Sequence, residues 1–513
     1  MRRSALRASG SPSAGIGSST TERRLAGQQR ADERLEPAAK AIVSDGASTT
    51  RVIAPVVAEK DGNVGPPTDG QRRAVPRILV LGAGFGGLEC ARRLERRLLA
   101  NEAEIVVVGR DNFTLFTPML PEVSAGGVEM RHVVTPVRAQ LKRASFIFAD
   151  VVGIDLHGKS VELQNNLTGD RHQVPFDHLV FALGSVTSTF DIPGVAEHSL
   201  PLKTLEDAER LRNRIIANLE LAEVTTDRNE RTRLLSFVVV GGGYTGCEAA
   251  GELVDLLKSV KPLYKSVQRG EARIVLIEAG SALLAGLPAA MGTYTARNLS
   301  SRGVKLILGD GVASLDERKL VLTSGKTNLT AMVLWSAGVR PTPVMKDLPI
   351  PHERNGAIVA ARDLSVEGWP GLWAVGDCAW IPTAQHGKWY PMTAQHAVRE
   401  GQALADNIVA SVRGEATKPF DYVAVGTMAS LGGRSGVAQL PYNVVLTGFV
   451  AWFLWRGYYL SKLPGLDRKI RVGVDWLLGL IFRRDIAELR LFASNAQRNV
   501  PSAGEVAPST ATK

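Results

Sequence analysis

Cysteine is scarce in this chain. Its 513 residues hold three, Cys90, Cys247 and Cys378, and no CxxC or CxxxxC pair is present. That excludes a disulfide-stapled scaffold and a redox centre of neighbouring thiols, and it fits a reducing, intracellular setting. Long apolar runs are missing too. Nothing approaches the roughly 18 uninterrupted residues that a membrane-spanning helix needs, and no signal-peptide pattern appears. A basic folded body is also absent. The net charge of +10 sits at the ends, with twelve Lys/Arg against eight Asp/Glu in residues 1–76 and nine against four in residues 440–498. Nucleic-acid binding needs a basic face on the folded core, so this distribution argues against it.

Residues 1–75 are rich in Ser, Gly, Ala, Pro and charge and lack apolar periodicity, so they read as a disordered tail. The stretch before Glu22 is Arg- and Ser-rich like an organelle transit peptide, but Glu22, Asp32, Glu33 and Glu36 follow at once. Order begins at Arg77–Leu81, a short apolar run of buried-strand type. A glycine-rich turn, a helix from about Gly86 to Ala100 and a second strand, Glu104–Val108, complete a βαβ unit. Short strands fill about 145–185 and end in His178–Leu183. A helix is predicted from about Leu205 to Glu223. The opening pattern then recurs, with strand Ser236–Val240, a glycine turn, a helix through Glu252 to Leu257, and strand Arg273–Glu278.

The two turns share a pattern. Gly82, Gly84 and Gly87 form the first GxGxxG, and Gly241, Gly243 and Gly246 form the second. In such a turn the first glycine allows the tight bend, the second admits a pyrophosphate to the backbone, and the third lets helix pack on strand. The diphosphate then meets unpaired N–H groups at the positive end of the helix dipole. One copy alone is weak evidence. Two copies, each between a buried strand and a helix, predict an α/β fold with two Rossmann-like dinucleotide-binding domains. The acid that receives the ribose hydroxyls is expected at the end of the second strand. In the second unit it is Glu278, whose charge favours NADH over NADPH. In the first unit Gly109 stands there, followed by Arg110 and Asp111.

With these residues in view, the stretch from about 77 to 485 resembles the type II NADH dehydrogenases, the single-subunit NADH:quinone oxidoreductases. Gly82–Gly87, with Phe85 and Gly86 inside it, resembles their FAD fingerprint. Asn112–Gly126, including Thr117 and Pro118, resembles the segment bordering the flavin, and Ala182–Ser185, with Gly184, resembles an ATG-like motif. Val240–Leu253, with Tyr244 and Thr245, resembles the NADH site and puts Glu248 at the family's acidic position near the nicotinamide. Trp335–Val339, with Ala337 and Gly338, is similar to another shared stretch. Ala374–Ala379 resembles the late flavin motif, where Gly376 and Asp377 would hold the ribityl chain. Pro391–Gly401 resembles the flavin- and quinone-lining segment, with Ala394 and Gln395 in place but Arg399 where a second glutamine is usual.

The resemblance implies a glutathione-reductase-like plan. Residues 76–204 and 346–415 would form the FAD-binding domain, 205–345 the NADH-binding domain, 416–490 a C-terminal β/α membrane-docking region, and 491–513 a second tail. It implies FAD and NADH as cofactors and quinone as acceptor, without proton pumping. Glu248 and Gln395 are the catalytic candidates. His396 and Cys378 read better as structural than as reactive groups.

Val444–Leu460 and Val472–Phe482 are apolar and aromatic, and basic residues flank them. That pattern suits helices lying in a membrane interface, and an aromatic core or homodimer contact is the alternative. The expected location is peripheral, on the cytoplasmic face of the cell membrane. Rival readings are a dithiol reductase, a sulfide:quinone reductase and a ferredoxin-type reductase, the first two short of paired cysteines. A low-turnover flavin sensor is a reading from another class.

Overall fold

The computed structural model describes residues 75–488, apart from Arg269 and Val425. The expected tails at 1–75 and 491–513 lie outside the described residues, apart from Val75.

The chain opens with β1 (Arg77–Leu81), α1 (Phe85–Arg97) and β2 (Glu104–Gly109). The side chains of Ile78–Leu81 are fully buried, as expected of a parallel strand covered on both faces. A short helix, α2 (Leu120–Ser124), follows, then β3 (Ser145–Asp155), β4 (Ser160–Asn165), β5 (Arg171–Pro175) and β6 (His178–Phe181). The chain leaves this sheet through β7 (Ser185–Thr187) and enters α3 (Leu205–Val224). Thr204 caps α3 in a reciprocal box with Asp207, which fixes the start of the helix.

The second unit runs through β8 (Ser236–Val240), α4 (Tyr244–Val260), β9 (Arg273–Glu278), α5 (Ala289–Ser301), β10 (Val304–Leu308) and β11 (Met332–Trp335). Its four strands stand in the order β10-β9-β8-β11, all parallel. The chain returns through β12 (Val339–Pro341), which pairs antiparallel with β7. The second unit is thus an insertion, entered and left by a two-stranded ribbon.

On returning, β13 (Leu372–Ala374) completes the first sheet, whose order is β13-β6-β1-β2-β3-β4-β5. Its core strands are parallel, and β3-β4-β5 form an antiparallel meander. Helix α6 (Ala394–Val412) crosses α1 at two glycines. A Cβ on Gly401 would be driven into the Gly86 carbonyl oxygen, so the contact requires the missing side chain. Arg93 then grips Asp406 with two bonds of 2.7 and 2.6 Å.

The C-terminal region holds a three-stranded antiparallel sheet, β14 (Thr427–Ser430), β15 (Gly436–Gln439) and β16 (Val445–Thr447), followed by α7 (Gly448–Lys462) and α8 (Leu466–Ile481). Ala451, Trp452, Trp455, Val472 and Trp476 face inward, while Phe449, Phe453, Ile470, Leu477 and Ile481 are exposed. No helix among the described residues is long and apolar enough to cross a membrane.

Candidate active site

The two glycine turns are built alike. Gly82 has φ +112° and Gly241 φ +108°, in the region that side chains rarely adopt. A Cβ at Gly82 would strike the Ala182 carbonyl, and one at Gly241 would strike the Ser336 backbone. Gly87 and Gly246 sit over the carbonyls of Gly82 and Gly241 so closely that neither admits a methyl group. Gly84 and Gly243 are the N-caps of α1 and α4. Neither helix start carries a side-chain cap, and the space where either Cβ would stand is open within 4 Å. Each sheet therefore presents uncapped N–H groups beside open space at the helix start, the arrangement that accepts a dinucleotide's diphosphate. Phe85 and Tyr244 are the first helical residues, and Thr245 follows Tyr244.

The strand-end positions differ. Gly242 N–H donates to Glu278 Oε2 at 2.5 Å and Gly280 N–H to Oε1 at 2.7 Å, so this carboxylate borders the second turn. A side chain at Gly109 would be tight, because a Cβ there would meet the Phe146 ring at 3.0 Å and the Ala83 methyl at 3.1 Å, and these neighbours would have to give way. Arg110 and Asp111, the nearest charged residues, are exposed, with Arg110 4.0 Å from Asp150.

Around the first turn stand the other expected flavin residues. Thr117 and Pro118 form a single 3-10 turn, and Phe116 meets the Phe85 ring edge-on at 6.1 Å. Gly184 has φ +68° and open space at its Cβ. Gly376 N–H donates to Glu400 Oε2 at 2.8 Å. Asp377 Oδ2 accepts from Ser185 Oγ at 2.7 Å and Lys203 Nζ at 3.3 Å. Ala394 is the first residue of α6. Gly86 is taken up by the helix crossing. At the second turn, by contrast, Ala337 lies against Gly241, and Gly338 next to it lies under the Phe190 ring.

Gln395 donates to the Gly426 carbonyl at 3.2 Å, with the Tyr422 hydroxyl 3.5 Å from its other end. Arg399 is exposed and lies over the Tyr422 ring. His396 is buried, bonded to Thr393 Oγ1 at 2.7 Å and packed between Tyr390 and Tyr422, as a structural histidine would be. All three cysteines are buried and free, and burial pushes each thiol up. Dithiol chemistry at these positions is excluded.

Glu248 lies one residue beyond the first turn of α4, so the helix dipole does not explain it. It is 8 % exposed and accepts from the Ser430 N–H at 2.9 Å. Burial pushes its carboxyl up to about 8. Glu252, one turn on, is bound by Arg484 at 2.6 Å. Glu122 of α2 accepts from the Trp476 indole at 2.9 Å and lies 3.5 Å from Arg456, whose guanidinium is flanked by Trp452 and Trp476. Three buried carboxyls thus join the dinucleotide units to the C-terminal region.

Lys203, Glu400 and Glu122 were not singled out from the sequence. No local motif marks them. Only the tertiary fold brings Lys203 across to Asp377, 174 residues away.

The fold and the twin turns define a flavoprotein oxidoreductase with two dinucleotide-binding units. Residues 76–401 match the pyridine nucleotide-disulphide oxidoreductase family, and residues 425–485 match the NDH2 C-terminal domain. A type II NADH:quinone oxidoreductase Ndh of Mycobacterium tuberculosis is 31% identical over 423 residues, covering 80% of this chain and 89% of the relative. An internal alternative NAD(P)H-ubiquinone oxidoreductase A1, mitochondrial, of Solanum tuberosum is 32% identical over 444 residues, covering 81% and 88%. The chain therefore belongs to the type II NADH:quinone oxidoreductase family. Among solved structures, NDH2 from Plasmodium falciparum in complex with NADH superposes with a TM-score of 0.75 at 21% identity, covering 81% of this chain and all of that one. The sulfide:quinone oxidoreductase from Aquifex aeolicus shares the fold, with a TM-score of 0.60 at 18% identity over 79% and 95%.

Proposed function

We propose that this protein oxidises NADH through bound FAD and passes two electrons to a membrane quinone without pumping protons. One observation carries the reading: two uncapped helix starts, each framed by the same three glycines, in two sheets joined by a short ribbon. Gly82, Gly84, Gly87, Ala182, Gly184, Gly376, Asp377 and Ala394 would hold FAD. Gly241, Gly243, Gly246 and Glu278 would hold NADH. The corresponding domains are residues 76–204 with 346–415, and residues 205–345. Bound FAD would supply the two-electron redox chemistry that links NADH to the acceptor. The protein's part is to orient the two rings and keep water out. Gln395 would meet the quinone head. Glu248 holds a proton near neutral pH on the side of α4 that faces the C-terminal region.

The exposed apolar faces of α7 and α8, with Lys462, Lys469, Arg471 and Arg483 around them, suit docking in the membrane interface. The enzyme would sit on the cytoplasmic face of the cell membrane and take quinone from the lipid. A second copy of the chain is the competing occupant of those faces, and light scattering of detergent-free protein distinguishes the two.

The decisive experiment is the visible spectrum of purified protein, before NADH, after NADH and after a soluble quinone. Flavin absorbance that bleaches with NADH and recovers with quinone supports the proposal. Flavin that bleaches but does not recover with quinone makes this a sensor.

A further inference from the structure

The seam between the two dinucleotide units holds a cation with no part in the reading above. Lys203 stands just ahead of Thr204, the N-cap of α3. Its backbone N–H donates to Asp207 Oδ2 at 2.9 Å, beside the capping box, so the main chain here is fixed. The side chain turns across the seam. Nζ donates to Ser185 Oγ at 2.7 Å and to Asp377 Oδ2 at 3.3 Å, and Ser185 Oγ donates to that same oxygen at 2.7 Å. The three residues come from three segments. Ser185 opens β7, by which the chain leaves the first sheet. Lys203 stands at the entry to the inserted unit. Asp377 lies in the returning half.

The side chains of Lys203 and Asp377 are 34% and 23% exposed. An ion pair as exposed as this adds little to stability, so its value lies in orientation and charge. Both contacts fall on Oδ2, and Oδ1 makes no hydrogen bond to a described residue. A bare carboxylate beside a diphosphate cofactor is also repulsive, and a cation within 4 Å offsets that.

We propose that Lys203 is a flavin-positioning residue. It and Ser185 hold Asp377 by one oxygen, so that the other faces a ribityl hydroxyl of FAD, and this tie anchors the start of the NADH unit to the flavin site. The inference rests on the reading of Asp377 as a flavin ligand.

The test compares holoenzyme variants K203M, K203R, S185A, D377N and K203M/D377N for FAD dissociation, followed by the fluorescence of released FAD, with melting temperature measured alongside. K203M should weaken FAD about tenfold, the scale of a lost charge-assisted hydrogen bond. K203R should recover most of this. S185A, which removes one hydroxyl and spares the fold, should fall between. K203M/D377N should lose no more FAD than D377N alone, because Lys203 acts through Asp377. If K203M and S185A hold FAD like the unaltered protein while D377N loses it, Lys203 has no positioning role and the Asp377 reading stands. Additive losses in the double variant overturn the proposal too. If D377N itself keeps FAD, the Asp377 reading fails and the proposal falls with it.

Discussion

Arg484 and Glu252 stand 232 residues apart in the chain and meet at 2.6 Å. Arg484 also donates to the carbonyls of Ala125 and Glu252, at 3.0 and 3.1 Å. One guanidinium therefore fastens the end of the C-terminal region to α4 and to the end of α2. R484M would leave the Glu252 carboxylate buried without its cation, at a cost of about 3 kcal/mol. Thermal unfolding should shift down accordingly, and the double variant E252Q/R484M should regain most of the loss. Equal melting of R484M and the unaltered protein would remove Arg484 from this role.

The third glycine of each turn allows the two proposed cofactor sites to be tested one at a time. A methyl group on Gly246 meets the Gly241 carbonyl, and one on Gly87 meets that of Gly82. Overpacking of this kind costs roughly 1–3 kcal/mol. G246A should stay yellow and lose about ten- to a hundredfold in kcat/KM for NADH. G87A should emerge with little flavin. Absorbance at purification and NADH titration read both, and a colourless G246A would contradict the assignment of the second turn to NADH.

Glu278 closes the second turn through two backbone N–H groups. In the proposed site its carboxylate would repel a 2′-phosphate and accept from a free 2′-hydroxyl. E278Q keeps the shape and removes the charge, so the NADPH to NADH ratio of kcat/KM should rise about tenfold, the scale of one charged hydrogen bond. An unchanged ratio places the ribose elsewhere.

Glu248 makes stability depend on pH. Burial raises its carboxyl from the ordinary 4.5 to about 8 in the folded chain. The folded state therefore holds a proton that the unfolded state has released between those values. This contribution is full below about pH 4.5 and is lost as pH rises through about 8. Unfolding curves between pH 6 and 9 should show stability that falls up to about pH 8 and then levels off, and E248Q should remove about 3 kcal/mol of that fall. Parallel slopes for the two proteins would assign the dependence to other buried acids.

The docking faces can be tested apart from catalysis. F453E and I481E each put a charge on an exposed apolar position. Each should reduce sedimentation with anionic phospholipid vesicles about tenfold or more, the scale of a charge placed against lipid. NADH oxidation with ferricyanide should stay unchanged. Undiminished vesicle binding would point to a protein partner on these faces.

The parallel strands were legible because they are short runs with an apolar interior, two of them followed at once by a glycine turn. Arg77–Leu81, Ser236–Val240 and Arg273–Glu278 stand where the sequence puts them. Helix ends were less legible. The helix expected to reach Ala100 stops at Arg97, and the one expected to end at Leu257 runs to Val260, since final turns are settled by packing rather than propensity. The glycine turns were readable because their chemistry is local. Glu122, Lys203 and Glu400 were not, because each takes its meaning from a partner far along the chain: Trp476, Asp377 and Gly376. Gly109 was readable as a missing acid, but the tight contacts a side chain there would make with Phe146 and Ala83 belong to the folded sheet.

The crossing of α1 and α6 at Gly86 and Gly401 sets an order of events at the ribosome. The strand and turn proposed to cradle the diphosphate are made early, but α6 comes late, and Asp406, which pins it to Arg93, stands 313 residues beyond that arginine. On the proposed reading, nascent protein would wait for most of its length before its prosthetic group could be retained. A messenger truncated ahead of Ala394 should yield apoprotein, however much flavin the cell supplies.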